Sequence, residues 1–222
     1  MHKLIRGVAD FVHRKQPAYR AAFRGLAHDQ RPRALLLTCS DSRIVSALLF
    51  GADPGDLFEV RTVGNLIAPA GADAAESVGD QSEAAAVEYA LLVLSVPHVL
   101  IMGHSNCGAM KAVLHARVPP EALNLSRWLA HAGSARAKLE QTPSIDPALP
   151  TEDRLSQANV LGQLDHLRSY RVVGEALARG VLQLHGAWFD VGRAELHAWR
   201  DAERRFVRLD AGAIARFLTP TG

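Results

Sequence analysis

The fold of this chain is decided by the stretch Leu35-Leu36-Leu37-Thr38-Cys39-Ser40-Asp41-Ser42-Arg43. The stretch begins as an apolar run typical of a buried strand and then presents a thiol, a carboxylate and a guanidinium within five residues. In sheets of parallel strands, ligands bind at the carboxyl ends of the strands. The stretch therefore predicts a buried strand that delivers reactive side chains to a functional site at its carboxyl end.

The second cysteine of the chain lies in a similar context. An apolar run from residue 99 to residue 102 leads into Gly103-His104-Ser105-Asn106-Cys107-Gly108. Two strands that each end in a thiol suggest neighbouring parallel strands whose ends share one ion. A disulfide between Cys39 and Cys107 is the simplest alternative, but Asp41 and His104 beside them favour metal ligation or thiol chemistry in a reducing compartment.

Length and composition set limits on the possible class of protein. The 222 residues predict a single domain, residues 1–222, with residues 1–30 as an N-terminal helical arm. The 25 basic and 23 acidic residues leave a formal charge of +2, which gives no reason to expect a nucleic-acid or membrane partner. The start of the chain lacks a long apolar core, and the best apolar run, residues 89–102, is broken by Pro97 and His98. We therefore expect a cytoplasmic protein.

The spacing of apolar residues predicts alternating strands and helices. The predicted strands are residues 34–38, 57–61, 98–102 and 181–191, the last paired with 195–199 or with 205–209. The predicted helices are residues 4–26 with an interruption at Pro17, 44–50, 84–94, 108–114, 121–140, 152–167 and 172–179. This alternation predicts an α/β fold with a largely parallel central sheet flanked by helices.

Cys39, His104 and Cys107 are residue types that bind zinc. The His-x-x-Cys spacing lets a turn before a helix present two of these side chains to one point, while Cys39 arrives from a distant strand. Structural zinc sites usually close with four strong ligands, often from paired Cys-x-x-Cys units, and this sequence lacks such pairs. The three residues therefore predict a catalytic zinc site.

Asp41 is the candidate for a fourth ligand, and Arg43 can hold the same carboxylate by a charge-assisted fork. These two roles compete. Binding of Asp41 to the metal closes the site, whereas pairing of Asp41 with Arg43 leaves a position for water, which zinc acidifies into a nucleophile. An ordinary surface ion pair is the alternative explanation, although it is weakened by the place of both residues directly after Cys39.

These motifs resemble those of the β-class carbonic anhydrases. Residues 39–43 are similar to the first zinc motif of that family, and residues 103–108 are similar to the second. The resemblance extends through residues 54–58, 61–65, 87–90 and 184–186 with compatible separations. It implies a zinc enzyme that hydrates carbon dioxide to bicarbonate and a proton through a zinc-bound hydroxide. It also implies an open sheet and a homodimer, or a larger oligomer built from dimers.

The resemblance assigns roles to individual positions. It implies that Cys39, His104 and Cys107 bind zinc and that Asp41 and Arg43 form the gating pair. It further implies a substrate pocket formed by Gln30, Phe58, Val63, Tyr89 and Gly108. The glutamine would hydrogen-bond substrate, and the glycine N–H would face a bound oxygen near a helix start. Without the resemblance, core packing and loop polarity would explain the pocket residues equally well.

Several positions depart from the pattern of the family. Thr62, Ser46 and Ala187 stand where the family frequently has asparagine, proline and tryptophan, which affects the shape of the pocket rather than the zinc ligands. Leu36 stands where a bicarbonate-inhibited subgroup carries tryptophan. We therefore expect Asp41 to pair with Arg43 near neutral pH, with activity that rises on the alkaline side and without cooperative inhibition by bicarbonate.

Two other functions are compatible with the same residues. Relatives with the same zinc motifs hydrolyse carbon disulfide or carbonyl sulfide. A zinc- or redox-sensing protein could release its metal when Cys39 and Cys107 are oxidised. The presence of Asp41, Arg43 and Gln30 favours catalysis, because a sensor needs only metal release.

Overall fold

Six strands form one sheet in the computed structural model, which describes residues 1–218. The strands are β1 Ala34–Cys39, β2 Leu57–Thr62, β3 His98–His104, β4 Gln183–Asp190, β5 Glu195–Arg200 and β6 Arg205–Arg208. Their order across the sheet is β2-β1-β3-β4-β5-β6, with β1 to β4 parallel and β5 and β6 antiparallel to their neighbours. The predicted, largely parallel sheet is confirmed. The sequence is compatible with either β5 or β6 as the partner of β4. In the structure β4 pairs with β5, and β6 pairs with the other side of β5.

Helices flank this sheet and form the predicted N-terminal arm. They are α1 His2–Asp10, α2 Gln16–Gly25, α3 Ser46–Phe50, α4 Ser82–Glu88, α5 Gly108–His115, α6 Leu123–Leu129, α7 Ser134–Glu140, α8 Thr151–Ser169, α9 Arg171–Ala178 and α10 Ala211–Leu218. The interruption predicted near Pro17 is a π-helical turn, Phe11–Lys15, and Pro17 itself lies in the first turn of α2, where its missing N–H is tolerated. A short 3₁₀ turn, Ala130–Ala132, divides the helical region predicted for residues 121–140.

The central strands are covered on both faces. Successive side chains of a strand point to opposite faces, so Leu35 and Leu37 join one apolar cluster with Ile101, while Leu36 joins a second with Met102. Burial on both faces explains why β1 is a continuous apolar run and not an alternating one. Within β1 only Ala34, at the amino end, is partly exposed, and the chain reaches the surface again at Ser40, directly after the buried Cys39.

The N-terminal arm packs little of its apolar surface against the rest of its own chain. No residue of α1 or α2 is buried, and Leu4, Val8 and Phe23 are 67%, 58% and 49% exposed. The arm thus exposes a contiguous apolar surface that is larger than scattered single apolar residues would give. Within residues 1–218, no helix combines the length and apolar character that crossing a membrane requires.

A pair of histidines near the amino ends of β3 and β4 gives the fold a predicted pH dependence. Nε2 of His185 lies 3.2 Å from Nδ1 of His98. Although the side chain of His185 stays exposed, partial loss of hydration around its ring and the neighbouring His98 lower its pKa, whereas the unfolded chain titrates near its ordinary value of about 6.5. The unfolded state therefore binds more protons, and the contribution of His185 to stability is full above that pH and is lost as the pH falls.

We predict that the urea midpoint of the wild-type protein decreases between about pH 7.5 and about pH 5.5, and that His185→Gln reduces this decrease. Urea denaturation followed by circular dichroism at both pH values measures the effect. His13→Gln, on the exposed arm, is the control and should follow the wild type. An identical pH dependence in the wild type and His185→Gln would contradict the prediction.

Candidate metal centre

Three side chains that can bind a metal converge at the carboxyl edge of the sheet. Cys39 is the last residue of β1, His104 is the last residue of the adjacent parallel strand β3, and Cys107 directly precedes α5. Their ligand atoms all lie within 4.8 Å of one another, and all three residues are buried. The topology thus brings together two strand ends that are distant in the sequence.

The imidazole of His104 has one nitrogen available as a ligand. Its Nδ1 lies 2.9 Å from the carbonyl oxygen of Ser105, which fixes the proton on Nδ1. Its Nε2 is buried and has no hydrogen-bond partner among residues 1–218. A buried polar atom without a partner is costly in a folded protein, and a metal ion in the Cys39, His104 and Cys107 cluster would satisfy this one.

The two thiols also fit a cation between them. The hydrogen bond from Cys107 is the main cause that lowers the pKa of Cys39 to about 4, against the opposing effect of burial. The same hydrogen bond, with burial, raises the pKa of Cys107. One thiolate therefore suppresses ionisation of the other, and a divalent cation would offset the charge that two thiolates bring.

Asp41 and Arg43 lie at the edge of the cluster. Nε and Nη2 of Arg43 donate to Oδ1 and Oδ2 of Asp41 at 2.9 and 2.7 Å, which is the bidentate geometry of a strong ion pair. These hydrogen bonds hold the pKa of the Asp41 carboxyl well below its usual range. Oδ2 of Asp41 also lies 3.8 Å from Nε2 of His104. The Arg43 guanidinium thus holds the Asp41 carboxylate beside the cluster of Cys39, His104 and Cys107.

Two guanidinium groups connect the segments that carry the ligands. Nη2 of Arg43 donates to the carbonyl oxygen of Asn106 at 3.0 Å, so it links residues 41–43 to the segment before Cys107. Nη2 of Arg61, on β2, donates to the carbonyl oxygens of Cys39 and Asp41 at 2.9 and 2.8 Å. Arg61 lies within the resemblance at residues 61–65, but its role as a brace for residues 39–41 is not evident from the sequence.

The five proposed pocket positions fall into two groups within one chain. Val63 and Gly108 lie at the metal end of the sheet, directly after β2 and at the start of α5. Phe58 of β2 lies opposite Leu35 of β1, four residues before Cys39. At about 3.3 Å per residue, Phe58 is therefore about 13 Å from Cys39 along the strand direction.

The other two pocket positions lie with Phe58 at the far end. The rings of Phe58 and Tyr89 stack with centroids 5.8 Å apart, and Gln30 lines the same open groove as Tyr89. Within a single chain, Gln30, Phe58 and Tyr89 therefore do not lie beside the potential metal ligands.

Comparison with known proteins relates the chain to one family. Residues 34–196 match the family model described as carbonic anhydrase. The carbonic anhydrase of Pseudomonas aeruginosa is 38% identical over 209 residues, which cover 94% of this chain and 92% of that protein. Carbonic anhydrase 1 of Escherichia coli O157:H7 is 37% identical, with coverage of 95% and 93%.

Solved structures show the same relationship. The β-carbonic anhydrase CcaA superposes with a TM-score of 0.83 at 33% identity, covering 95% of this chain and 92% of that chain. A β-carbonic anhydrase of Sordaria macrospora, from a report on two tetrameric enzymes, superposes with a TM-score of 0.74 at 28% identity, with coverage of 89% and 95%.

Proposed function

Since the chain belongs to the β-class carbonic anhydrase family and is thus a lyase of that class, we propose that it reversibly hydrates carbon dioxide to bicarbonate and a proton. The observation that carries the proposal is the buried cluster of Cys39, His104 and Cys107 with an ion-paired carboxylate at its edge. The proposal places the protein in the cytoplasm, where reducing conditions keep both thiols available.

Cys39, His104 and Cys107 would hold a zinc ion, because two sulfurs and one imidazole nitrogen are a ligand set that suits this metal. Bound zinc supplies a water molecule acidified enough to act as a nucleophile near neutral pH. The protein contributes a fixed imidazole, since the hydrogen bond to the carbonyl of Ser105 keeps the proton on Nδ1 and leaves Nε2 as the ligand atom.

Asp41 would act as a hydrogen-bond acceptor for the reacting water. The fork from Arg43 keeps the carboxylate ionised and holds Oδ2 beside the ligand nitrogen of His104. In this arrangement Arg43 would keep Asp41 from ligating a bound zinc ion, so that the zinc would be free to activate a water molecule. The test of the function is stopped-flow measurement of carbon dioxide hydration alongside zinc analysis. A protein that carries zinc but shows no hydration, or that hydrolyses only carbon disulfide, would contradict the proposal.

We further propose that a second copy of the chain completes the active site. Gln30, Phe58 and Tyr89 lie at the far end of the sheet from the metal cluster of their own chain, and Tyr89 is 44% exposed. The exposed apolar arm offers a surface that a second copy would cover. The tetrameric Sordaria macrospora relative also supports an oligomeric enzyme.

The Asp41–Arg43 fork leads to a specific prediction. Arg43→Lys keeps the positive charge but cannot donate two parallel hydrogen bonds, so the carboxylate is no longer held in one orientation. We expect kcat/KM for carbon dioxide hydration to fall by about 10-fold to 100-fold. Arg208→Lys removes comparable contacts to Glu195 and Asp210 on the far strands and serves as the matched control. Equal kinetics for the two variants would contradict the role of the fork.

A further inference from the structure

Helix α8 is buried along much of its length, yet its buried side includes polar residues. A buried helix face is normally apolar, and buried polar groups are costly unless they find hydrogen-bond partners. Asn159 and Gln163 are fully buried, and Ser156 is 1% exposed. Each of these side chains bonds to the main chain of a segment outside α8. The cost of burying these polar side chains is therefore offset by their hydrogen bonds.

The contacts of α8 reach the segments of His104 and Cys107 directly and that of Cys39 through Gly64. Oδ1 of Asp153 accepts the N–H of Asn106 at 2.5 Å, next to Cys107. Oγ of Ser156 donates to the carbonyl oxygen of His104 at 2.8 Å. Nδ2 of Asn159 donates to the carbonyl oxygen of Gly64 at 3.0 Å. The last of these contacts leads to the remaining ligand, Cys39.

Gly64 connects Asn159 to Cys39. The N–H of Gly64 donates to Sγ of Cys39 at 3.4 Å. Gly64 has a φ of +78°, and a Cβ there would meet the Cβ of Ala109 at 2.9 Å, so the position requires glycine. The C=O and the N–H of Gly64 belong to the two peptide groups on either side of its Cα. Because glycine rotates easily about φ and ψ, a hydrogen bond that holds the carbonyl restricts how far the N–H can turn away from the sulfur.

The orientation of the Asn159 amide is itself fixed. Nε2 of Gln163 donates to Oδ1 of Asn159 at 3.1 Å and also to the carbonyl oxygen of His131 at 3.1 Å. Oε1 of Gln163 accepts the N–H of Ile67 at 2.8 Å. With Oδ1 occupied as an acceptor, Asn159 presents Nδ2 to Gly64. The chain of contacts thus runs from Gln163 through Asn159 and Gly64 to the sulfur of Cys39.

We infer that Asn159 is a positioning residue for the metal centre, which fixes Gly64 so that its N–H donates to the Cys39 sulfur. The inference rests on the proposed metal site. An N–H donor withdraws electron density from a thiolate, and groups that orient a ligand alter both metal affinity and the electronic properties of the metal–sulfur bond. Asn159 would act on the metal only through Gly64, because it holds the Gly64 carbonyl while the N–H that reaches the sulfur belongs to the adjacent peptide group.

The test uses the full-length protein loaded with cobalt(II), which shows sulfur-to-cobalt charge-transfer absorption when a thiolate binds. Asn159→Leu is similar in size but donates no hydrogen bond to Gly64. We expect its charge-transfer band to move to longer wavelength, because the sulfur lone pairs lose their N–H donor. We also expect the zinc dissociation constant, measured by chelator competition, to rise about 10-fold. Ser169→Ala, which removes a contact between α8 and the N–H of Ala70, is the matched control.

The outcomes separate this inference from the proposed function. A wild-type protein without a charge-transfer band would show that the proposed metal site is wrong. A wild-type band that Asn159→Leu and Ser169→Ala both leave unchanged, with equal zinc affinities, would overturn the positioning role. If Asn159→Leu does not fold, Gln163→Met provides the second test, because it frees the Asn159 amide to rotate. An unchanged band in Gln163→Met would then overturn the inference.

Discussion

Replacing Cys39 with serine is expected to abolish zinc binding and carbon dioxide hydration together. A metal-binding thiol gives up its proton, whereas a serine hydroxyl keeps its proton at neutral pH and is a poor zinc ligand. The remaining donors of the cluster, His104 and Cys107, would leave the metal with two protein ligands. We predict a zinc content near zero by elemental analysis and a hydration rate at the background level in stopped-flow assays.

The control for this variant lies next to it in β1. Thr38 is buried, and its hydroxyl donates to the carbonyl oxygen of Met102 at 3.0 Å. Thr38→Ser keeps this hydroxyl, so it should keep both zinc and activity. Full zinc retention in Cys39→Ser would show that Cys39 is not a ligand.

The second large effect is expected from a charge placed on the exposed apolar face of α1. Val8 is 58% exposed, and Val8→Asp would put a carboxylate into the surface that a second copy is proposed to cover. We predict that sedimentation shifts from a dimer or larger oligomer to a monomer, and that hydration activity falls to the background level. Zinc content should remain near one per chain, because Cys39, His104 and Cys107 all belong to one chain.

The matched control for this prediction is Arg6→Asp, which changes the charge of an exposed polar residue on the same helix. It should leave both the assembly and the activity unchanged. When a partner completes an active site, activity depends on the concentration of protomers, so dilution should also reduce the specific activity. A monomer with full activity, whether by mutation or by dilution, would refute the proposal that a second copy completes the site.

The convergence of Cys39, His104 and Cys107 could be predicted from the sequence because these residues follow strand signals directly. Cys39 and His104 end two apolar runs, and adjacent parallel strands end at the same edge of a sheet. The sequence does not decide which strand pairs with β4, since residues 195–199 and 205–209 have similar strand patterns. Only the register of the folded sheet separates them.

The supporting contacts around the cluster could not be predicted in this way. Asp153 and Asn159 bond to Asn106 and Gly64, which are 47 and 95 residues away in the sequence. The apolar periodicity of a helix indicates which side is buried, but it does not reveal which main-chain groups the buried polar residues will meet. The two groups of pocket residues also required the three-dimensional structure, because their separation follows from the register of β1 and β2.

The placement of the ligands on β1, β3 and the start of α5 has a consequence for the maturation of the protein. A growing polypeptide that has left the ribosome only as far as β2 presents a single cysteine and no complete binding site. In the proposed zinc site the three donors meet only once β3 has paired with β1 and the chain up to Cys107 has folded, so an incomplete chain could not hold zinc through all three. We therefore expect the zinc content of a purified preparation to report the fraction of correctly folded molecules.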